Sequence, residues 1–272
     1  MFTLQCQLWA GLGRESDLFR LDGKTAFVSA ARGHLGQAMC RALGAAGAHL
    51  IVNGRDGDAL AAFAATLRAE GLSAEPAAFD VLDVAALRGF FAGRTRLDVL
   101  VNNAIAMQVK SFDALTPEDF ARTFQSSVTA AFESCRAALP ALQQAVADSG
   151  DASVINIASM YAGVAPDARL YAQRDQQSPF HYGPAKAGLL QLTRHLAAEF
   201  GPHRIRVNAL TPGPFPAAIA DPAFGARLAA KTMLGRLGEK SEIGGPLLFL
   251  ASPAASYVTG ATLAVDGGWT AW

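Results

Sequence analysis

KTAFVSAARGHLG, residues 24–36, combines a short apolar strand with a turn of small residues. Apolar residues then recur at helical spacing as far as Ala46, and a second apolar strand covers residues 49–53. The whole unit is about 30 residues long, which is typical of a βαβ half-site for a dinucleotide. The N–H groups of such a turn approach a pyrophosphate at the positive end of the helix. Because the turn holds only two glycines, Gly33 and Gly36, a purely structural role fits it equally well.

Strand and helix patterns alternate along the rest of the chain, without internal repeats. This alternation predicts an α/β fold with one Rossmann-type, doubly wound parallel sheet that helices cover on both faces. Ligands bind beyond the carboxyl ends of the strands in a sheet of this kind. The predicted strands are residues 24–29, 49–53, 74–79, 97–102, 152–158, 204–210 and 261–265.

The composition fits a single domain. A chain of 272 residues that is 51% hydrophobic can form one large core, which we place at residues 21–272, after an extension of residues 1–20 with no assigned function. Basic and acidic residues number 23 each, so there is no electrostatic footprint for nucleic acid or an anionic membrane. Because no apolar run reaches the ~18 residues that span a bilayer and the N-terminus lacks a secretory pattern, we expect a cytoplasmic protein. Cys6, Cys40 and Cys135 lack metal-ligand spacing, so we expect reduced thiols and no metal site.

A tyrosine and a lysine stand four residues apart, at Tyr182 and Lys186, where another apolar helical pattern begins. This spacing places a phenol and an ammonium on one helix face. A nearby cation favours the phenolate and lowers the pKa of a tyrosine, which is about 10 when unperturbed. The pair therefore predicts a proton donor and acceptor, although such pairs also occur on solvated helix faces.

Several short motifs follow successive predicted strands. They are the turn Ser29–Gly36, then Asp80, Asn102-Asn103-Ala104, Ser159, the pair Tyr182 and Lys186, and finally Pro212-Gly213. In this order the motifs resemble those of the short-chain dehydrogenase/reductases, and the resemblance extends from about Leu21 to Trp272. The runs TPGPFP at 211–216 and VDGGW at 265–269 are most similar to the branch of gluconate 5-dehydrogenase-like and other sugar or polyol reductases. The resemblance implies about seven parallel strands in the order 3-2-1-4-5-6-7.

The resemblance also implies reversible hydride transfer between a nicotinamide and the carbonyl carbon of a small-molecule substrate. Tyr182 would exchange the hydroxyl proton, Lys186 would hold the nicotinamide ribose, and Ser159 would bind the carbonyl oxygen, although a serine after a strand is equally often a helix cap. The residues that would bind the cofactor are Ser29, Ala31, Arg32, Gly33, His34, Leu35, Gly36, Arg55, Asp80, Val81, Asn102, Ala104, Tyr182, Lys186, Pro212 and Gly213.

The end of the second predicted strand bears on the choice of dinucleotide. An NAD enzyme usually carries an acid there to bind both ribose hydroxyls, whereas a 2′-phosphate needs a cation. Gly54 occupies the position of the acid, Arg55 follows it, and Arg32 in the turn supplies a second cation. We therefore expect NADP(H) to be preferred and NAD(H) to be possible, unless Asp56 pairs with Arg55 or both arginines are solvated loop residues. Asp80 resembles the acid that meets the adenine, or it caps the next helix.

Four positions depart from the family pattern. Ala30 and His34 stand where the turn has glycines, and Ile105 replaces a glycine after the fourth strand, which predicts a tighter pocket. Ser127 aligns with an asparagine that, in the family, holds a water in a proton relay to the lysine. A serine hydroxyl reaches less far than a carboxamide, so we expect Ser127 to support a slower or rearranged relay.

Two segments are expected to cover the substrate side. Ser159 and Tyr182 are further apart than is usual in the family, which predicts an inserted loop at residues 160–180. In this loop Arg169 and Arg174 could bind a carboxylate or phosphate and Tyr171 could stack on a sugar, unless they serve only solubility. The second segment, residues 213–232 with Phe215, corresponds to the mobile lid of the family.

The motifs jointly favour an NAD(P)-dependent oxidoreductase that acts on a hydroxyl/ketone pair of a small polar substrate, such as a sugar acid, keto-sugar or polyol. The alternative is a weakly active or inactive dinucleotide-binding protein of the same fold, which the four departures favour and the retained serine, tyrosine and lysine oppose. A serine hydrolase is disfavoured because no Gly-x-Ser-x-Gly motif surrounds Ser159. The resemblance further implies a homo-oligomer, a tetramer or a dimer, through helices around residues 117–147 and 182–200 and the C-terminal tail.

Overall fold

The computed structural model describes residues 15–173, 176–218 and 221–272, so most of the predicted N-terminal extension lies outside the described residues. Within the described part, one parallel sheet has the strand order β3-β2-β1-β4-β5-β6-β7, which confirms the predicted Rossmann-type topology. The strands are β1 Thr25–Val28, β2 His49–Gly54, β3 Ala74–Ala78, β4 Val99–Asn102, β5 Ala152–Ile157, β6 Ile205–Pro212 and β7 Thr262–Val265.

Helices connect the strands and cover both faces of the sheet. They are α1 His34–Ala45, α2 Gly57–Ala69, α3 Val84–Ala92, α4 Pro117–Phe124, α5 Ala130–Ser149, α6 Tyr182–Phe200, α7 Pro222–Lys231 and α8 Gly244–Ala251. Between α4 and α5 the helix contains one wide π-type turn, Gln125–Thr129. No helix in the described part of the chain is both long enough and apolar enough to cross a membrane.

The central strands are buried on both faces, which explains why their sequences are apolar runs rather than alternating patterns. Val28 and Val101 contribute to the core that contains α1 and α8. Their neighbours Phe27 and Leu100 point the opposite way, into the core that contains α3, α5 and α6. This double burial fixes the register of the sheet, because a shift by one residue would exchange the two faces.

Two strands end later than the sequence predicts. β2 includes Gly54, which pairs with Ala78 of β3. β6 runs on to Pro212, which pairs with Val265 of β7. The extra pairing places both strand ends at the same edge of the sheet, where the predicted ligand crevice lies.

The turn after β1 replaces a family glycine by an alanine in a left-handed conformation. Ala30 has a φ of 48°, which costs an L-residue roughly 1–2 kcal/mol. The side-chain amide of Asn103 holds the turn by donating hydrogen bonds to the carbonyl oxygens of Ser29 at 3.1 Å and Ala30 at 3.3 Å. At Gly36 a Cβ atom would lie 2.5 Å from the Ala30 oxygen, so α1 approaches the turn too closely for a side chain.

We expect Gly36→Ala to lower the free energy of unfolding by about 2 kcal/mol, because the backbone atoms that it meets cannot move without shifting α1. Ala30→Gly should stay within about 1 kcal/mol of the wild type, since relief of the left-handed strain offsets the added entropy of the unfolded glycine. Urea unfolding followed by circular dichroism measures both changes. A Gly36→Ala protein as stable as the wild type would contradict the close approach of α1.

Candidate active site

Two adjoining cavities follow the carboxyl edge of the sheet, and both are bordered by Ala30, Gly33 and Ile105. The larger has a volume of about 600 Å³ and lies over the ends of β2 and β3. The smaller has a volume of about 360 Å³ and lies between β1, β5 and β6. Their arrangement fits an elongated ligand whose two ends occupy one cavity each.

Most of the predicted site residues line these cavities. In the larger cavity they are Arg32, Gly33, Arg55, Asp80, Val81 and Ala104. In the smaller cavity they are Gly33, His34, Leu35, Gly36, Ser159, Tyr182, Lys186, Pro212, Gly213 and Phe215. Gly33 is also the N-cap residue of α1, and it has no side chain that could cap the first N–H groups. These N–H groups therefore remain available for a phosphate, as a dinucleotide requires.

Three predicted cofactor residues support the cavities from behind and line neither of the two. The Ser29 hydroxyl accepts hydrogen bonds from the N–H groups of Asn103 and Ala104 and thereby joins β1 to the segment after β4. Ala31 is fully buried in the core. Asn102 donates to Asn156 Oδ1 at 2.9 Å, below the site. Direct contact of these three side chains with a cofactor stays a prediction.

Sequence reasoning missed several cavity residues. Asn53, Phe79, Leu82, Met107 and Arg122 line the larger cavity, and Asn103 and Ile157 line the smaller one. Phe79 and Asn103 could have been found from the sequence, because each directly follows a strand. Arg122 lies on α4, and no sequence pattern brings α4 to the sheet edge.

Ser159, Tyr182 and Lys186 meet in the smaller cavity. Tyr182 is the first residue of α6 and Lys186 lies one turn later, with its Nζ atom 5.9 Å from the centre of the Tyr182 ring. The Lys186 ammonium is 3% exposed and donates to the carbonyl oxygen of Ile157 at 2.6 Å. Ser159 follows β5, and its Oγ accepts from the Tyr161 N–H at 3.2 Å, so it is a cap as well as a cavity residue.

The pKa of the Tyr182 phenol differs from the sequence-based expectation. Burial raises the pKa of Tyr182, and contact with Ser159 opposes this to a smaller extent. The lowered phenol pKa that the lysine spacing predicts is therefore wrong for this structure, because burial dominates the shift. Burial lowers the pKa of Lys186 to about 8.

Ser127 lies in the wide turn between α4 and α5. Its Oγ atom is buried and has no hydrogen-bond partner among the described residues. The side chain borders a cavity of about 10 Å³ that Ser29, Ser126 and Ser134 also line. A cavity of this size holds about one water molecule. The polar lining is compatible with a bound water, and the relay role of Ser127 stays a prediction.

The larger cavity carries two cations near its β2 end. Arg55 is exposed and forms no ion pair within the described residues, so Asp56 does not neutralise it. Asp56 lies 3.9 Å from Arg32 instead and caps α2 through the Ala59 N–H. An exposed pair at this distance contributes little, and it leaves both guanidinium groups able to meet an anion.

Asp80 lines the larger cavity and accepts a hydrogen bond from the Leu82 N–H at 3.0 Å. The alternative that Asp80 caps the helix near Val84 is wrong. Asp83 performs this role, because its carboxylate accepts from the N–H groups of Ala85 and Ala86.

The predicted substrate residues are not all brought to the cavities. Phe215 lines the smaller cavity. Arg169 points away, with its side chain 86% exposed and paired with Asp167 at 2.8 Å. Tyr171 packs against Phe224 of α7. Arg174 lies outside the described residues. The substrate roles of these side chains stay predictions.

A Rossmann-type sheet with this serine, tyrosine and lysine beside its crevice is characteristic of nicotinamide-dependent oxidoreductases. The family model described as enoyl-(acyl carrier protein) reductase matches residues 30–270. The chain belongs to the short-chain dehydrogenase/reductase family, as its motifs predict, and the family binds NAD(P).

Named relatives cover almost the whole chain. Galactitol 2-dehydrogenase (L-tagatose-forming) from Cereibacter sphaeroides is 36% identical over 94% of this chain and 98% of its own length. Gluconate 5-dehydrogenase from Gluconobacter oxydans is 32% identical over 93% of this chain and 97% of its own length. A crystal structure of a gluconate 5-dehydrogenase from Burkholderia cenocepacia, in complex with NADP and tartrate, is similar with a TM-score of 0.84. It is 31% identical and is matched over 95% of this chain and 100% of its own.

We expect the buried ammonium to make stability depend on pH. Lys186 loses its proton near pH 8 in the folded protein, whereas the unfolded chain keeps it until about 10.5. Because the unfolded state binds more protons in this window, the free energy of unfolding rises with pH there, by at most about 1.4 kcal/mol per pH unit.

The measurement compares the wild type with Lys186→Met by urea unfolding at pH 7.5 and pH 9. The stability of the wild type relative to the variant should rise by about 1 kcal/mol over this interval. Cys40 and Cys135, whose pKa values burial raises to about 12, are present in both proteins, so their effect cancels. An unchanged difference would mean that the Lys186 pKa is not lowered.

Proposed function

We propose that this protein reduces a ketone, and reversibly oxidises the corresponding alcohol, on a small polar substrate of the sugar-acid, keto-sugar or polyol type with NADP(H). The observation that carries the proposal is the joint presence of Ser159, Tyr182 and Lys186 in the cavity that adjoins the dinucleotide crevice. The named relatives support the substrate class, since they act on galactitol and gluconate.

The chain supplies a proton and an oxygen-binding group to this reaction. When bound, the nicotinamide supplies or accepts the hydride at the carbon of the hydroxyl/ketone pair. Tyr182 donates its proton to the carbonyl oxygen in the reductive direction, where the charge that develops on that oxygen offsets the weaker acidity that burial gives the phenol. The Ser159 hydroxyl donates to the same oxygen and stabilises the charge that develops there.

Lys186 acts next to the tyrosine. Its ammonium is one helical turn from Tyr182 and is anchored to the Ile157 carbonyl, in a position to bind the nicotinamide ribose. Once the phenol has given up its proton, the nearby positive charge stabilises the phenolate. Ser127, with its unpaired buried hydroxyl, is proposed to hold the water through which the proton is replaced.

The preference for NADP(H) rests on Arg55 and Arg32 at the β2 end of the larger cavity. Arg55 has no ion pair among the described residues, and Arg32 has only an exposed contact with Asp56 at 3.9 Å. A 2′-phosphate gains charge-assisted hydrogen bonds there, whereas an unphosphorylated ribose finds no acid at the end of β2.

We also propose a cytoplasmic homo-oligomer, a tetramer or dimer. Exposed phenylalanines on the predicted interface helices support association, namely Phe120, Phe124 and Phe132. The balanced charge, which leaves no electrostatic footprint for an anionic membrane, supports the location. Residues 213–232 are proposed as the lid, and Arg169 is proposed to reach a substrate anion if that segment closes.

Tyr182→Phe should reduce kcat by at least about a hundredfold, because it removes the proton donor without changing the ring. The assay follows the loss of reduced-cofactor absorbance with a panel of keto-sugars, keto-acids of sugars and simple ketones. The affinity for NADPH, measured by quenching of tryptophan fluorescence, should change less than about twofold. Tyr257→Phe, at a fully exposed tyrosine, is the matched control.

Cofactor binding by the wild type with no turnover across the whole panel would overturn the proposed enzyme and favour the inactive dinucleotide-binding alternative. If Tyr182→Phe turned over at the wild-type rate, the protein would still be an enzyme, but Tyr182 would not be its proton donor.

Arg55→Ala should weaken NADPH binding about tenfold and leave NADH binding nearly unchanged, since only the 2′-phosphate needs the guanidinium. Fluorescence titration of both reduced dinucleotides measures this without any substrate. Lys240→Ala removes one exposed positive charge outside the linings of both cavities and controls for net charge. Equal loss of affinity for NADPH and NADH would contradict the role of Arg55 in dinucleotide choice.

A further inference from the structure

Residues 160–173 of the inserted segment pack on the predicted lid instead of entering the cavities. None of these residues lines either cavity. Met160 and Leu170 are buried in a separate hydrophobic cluster with Leu228 of α7 and Trp269 near the C-terminus. The ring of Tyr171 also packs on Phe224 of α7, with 5.4 Å between ring centres. The inserted segment and the lid helix α7 therefore share a small hydrophobic core that is separate from the cores of the sheet.

Polar contacts tie the same two elements together. Arg227 of α7 donates from Nε to the carbonyl oxygen of Leu170 at 2.7 Å. Lys231, at the end of α7, lies 3.7 Å from the Asp167 carboxylate. The backbone of the inserted segment is thus held by the lid helix on one side, so a shift of α7 would disturb the contacts at Leu170 and Asp167.

A short path connects this unit to the serine of the site. The hydroxyl groups of Tyr171 and Tyr161 lie 2.9 Å apart, and the Tyr161 ring meets the edge of Trp269 at 6.5 Å between centres. The backbone N–H of Tyr161 donates to Ser159 Oγ. This N–H occupies one acceptor site of the hydroxyl oxygen and leaves the hydroxyl proton available to another acceptor.

We propose that Tyr171 is a positioning residue that acts through Tyr161 to orient the Ser159 hydroxyl, and that the Arg227 contact makes this orientation depend on the lid helix α7. The inference rests on the proposed oxidoreductase function for its effect on turnover. Tyr171 touches neither substrate nor cofactor in this scheme. In this scheme, the inserted segment couples the position of the lid helix α7 to the orientation of the Ser159 hydroxyl.

A double-mutant cycle tests the tyrosine pair. Tyr171→Phe and Tyr161→Phe each remove one hydroxyl and keep the ring, and each should lower kcat about fivefold with KM and the NADPH dissociation constant nearly unchanged. The double variant should be no slower than either single one, because both remove the same contact. A tyrosine that merely stabilises the fold would leave kcat unchanged at temperatures below unfolding. Additive losses, or a rise in KM alone, would overturn the proposal.

Amide hydrogen exchange followed by mass spectrometry tests the same link without any substrate. Tyr171→Phe should speed exchange in the peptides that contain Tyr161 and in α7 together, and Arg227→Gln should do the same from the lid side. Tyr257→Phe should alter neither. Faster exchange confined to residues 168–173 would overturn the link even in a protein with no measurable turnover. If the wild type proves inactive, the proposed function fails, while this experiment still decides whether the insert, the lid and Ser159 are coupled.

Discussion

The parallel direction of all the strands in the sheet is the constraint on which the rest of this structure depends. Because each strand runs the same way, the chain must cross back over a face of the sheet before each new strand, and every connection after a strand opens at one edge. The turn before α1, Asp80, Asn103, Ser159 and Gly213 reach one crevice for this reason alone, although more than 180 residues separate the first from the last. The double-sided burial of the central strands holds this edge in register.

Burial then determines the chemistry at the edge. Lys186 lies at the base of the smaller cavity, where the Ile157 carbonyl is its one described hydrogen-bond acceptor. Because the buried ammonium has lost most of its contact with water, its pKa is lowered. The same enclosure raises the pKa of Tyr182. Each shift favours the uncharged form of its group.

The fold could be predicted because apolar runs, helical spacing and strand endings are local signals, and right-handed crossovers leave few topologies. The position of the site followed from the same topology. The direction of individual side chains could not be predicted from the topology, because neighbouring residues at the end of a strand face opposite ways. Asn102 joins a buried network while Asn103 lines the cavity. The pKa of Tyr182 and the pairing of Tyr171 with Tyr161 depend on burial and on loop conformation, which spacing along the chain does not encode.

The wide turn at Gln125–Thr129 affects how easily this site can diverge. A π-type turn contains one residue more than a regular helical turn, so losing a single codon there would restore ordinary helix without breaking it. Because the wide turn absorbs that residue, α4 would keep roughly its orientation relative to α5, and Arg122 would stay on the cavity wall. The chain can therefore change its length by one residue beside the larger cavity while the helices on either side keep their places.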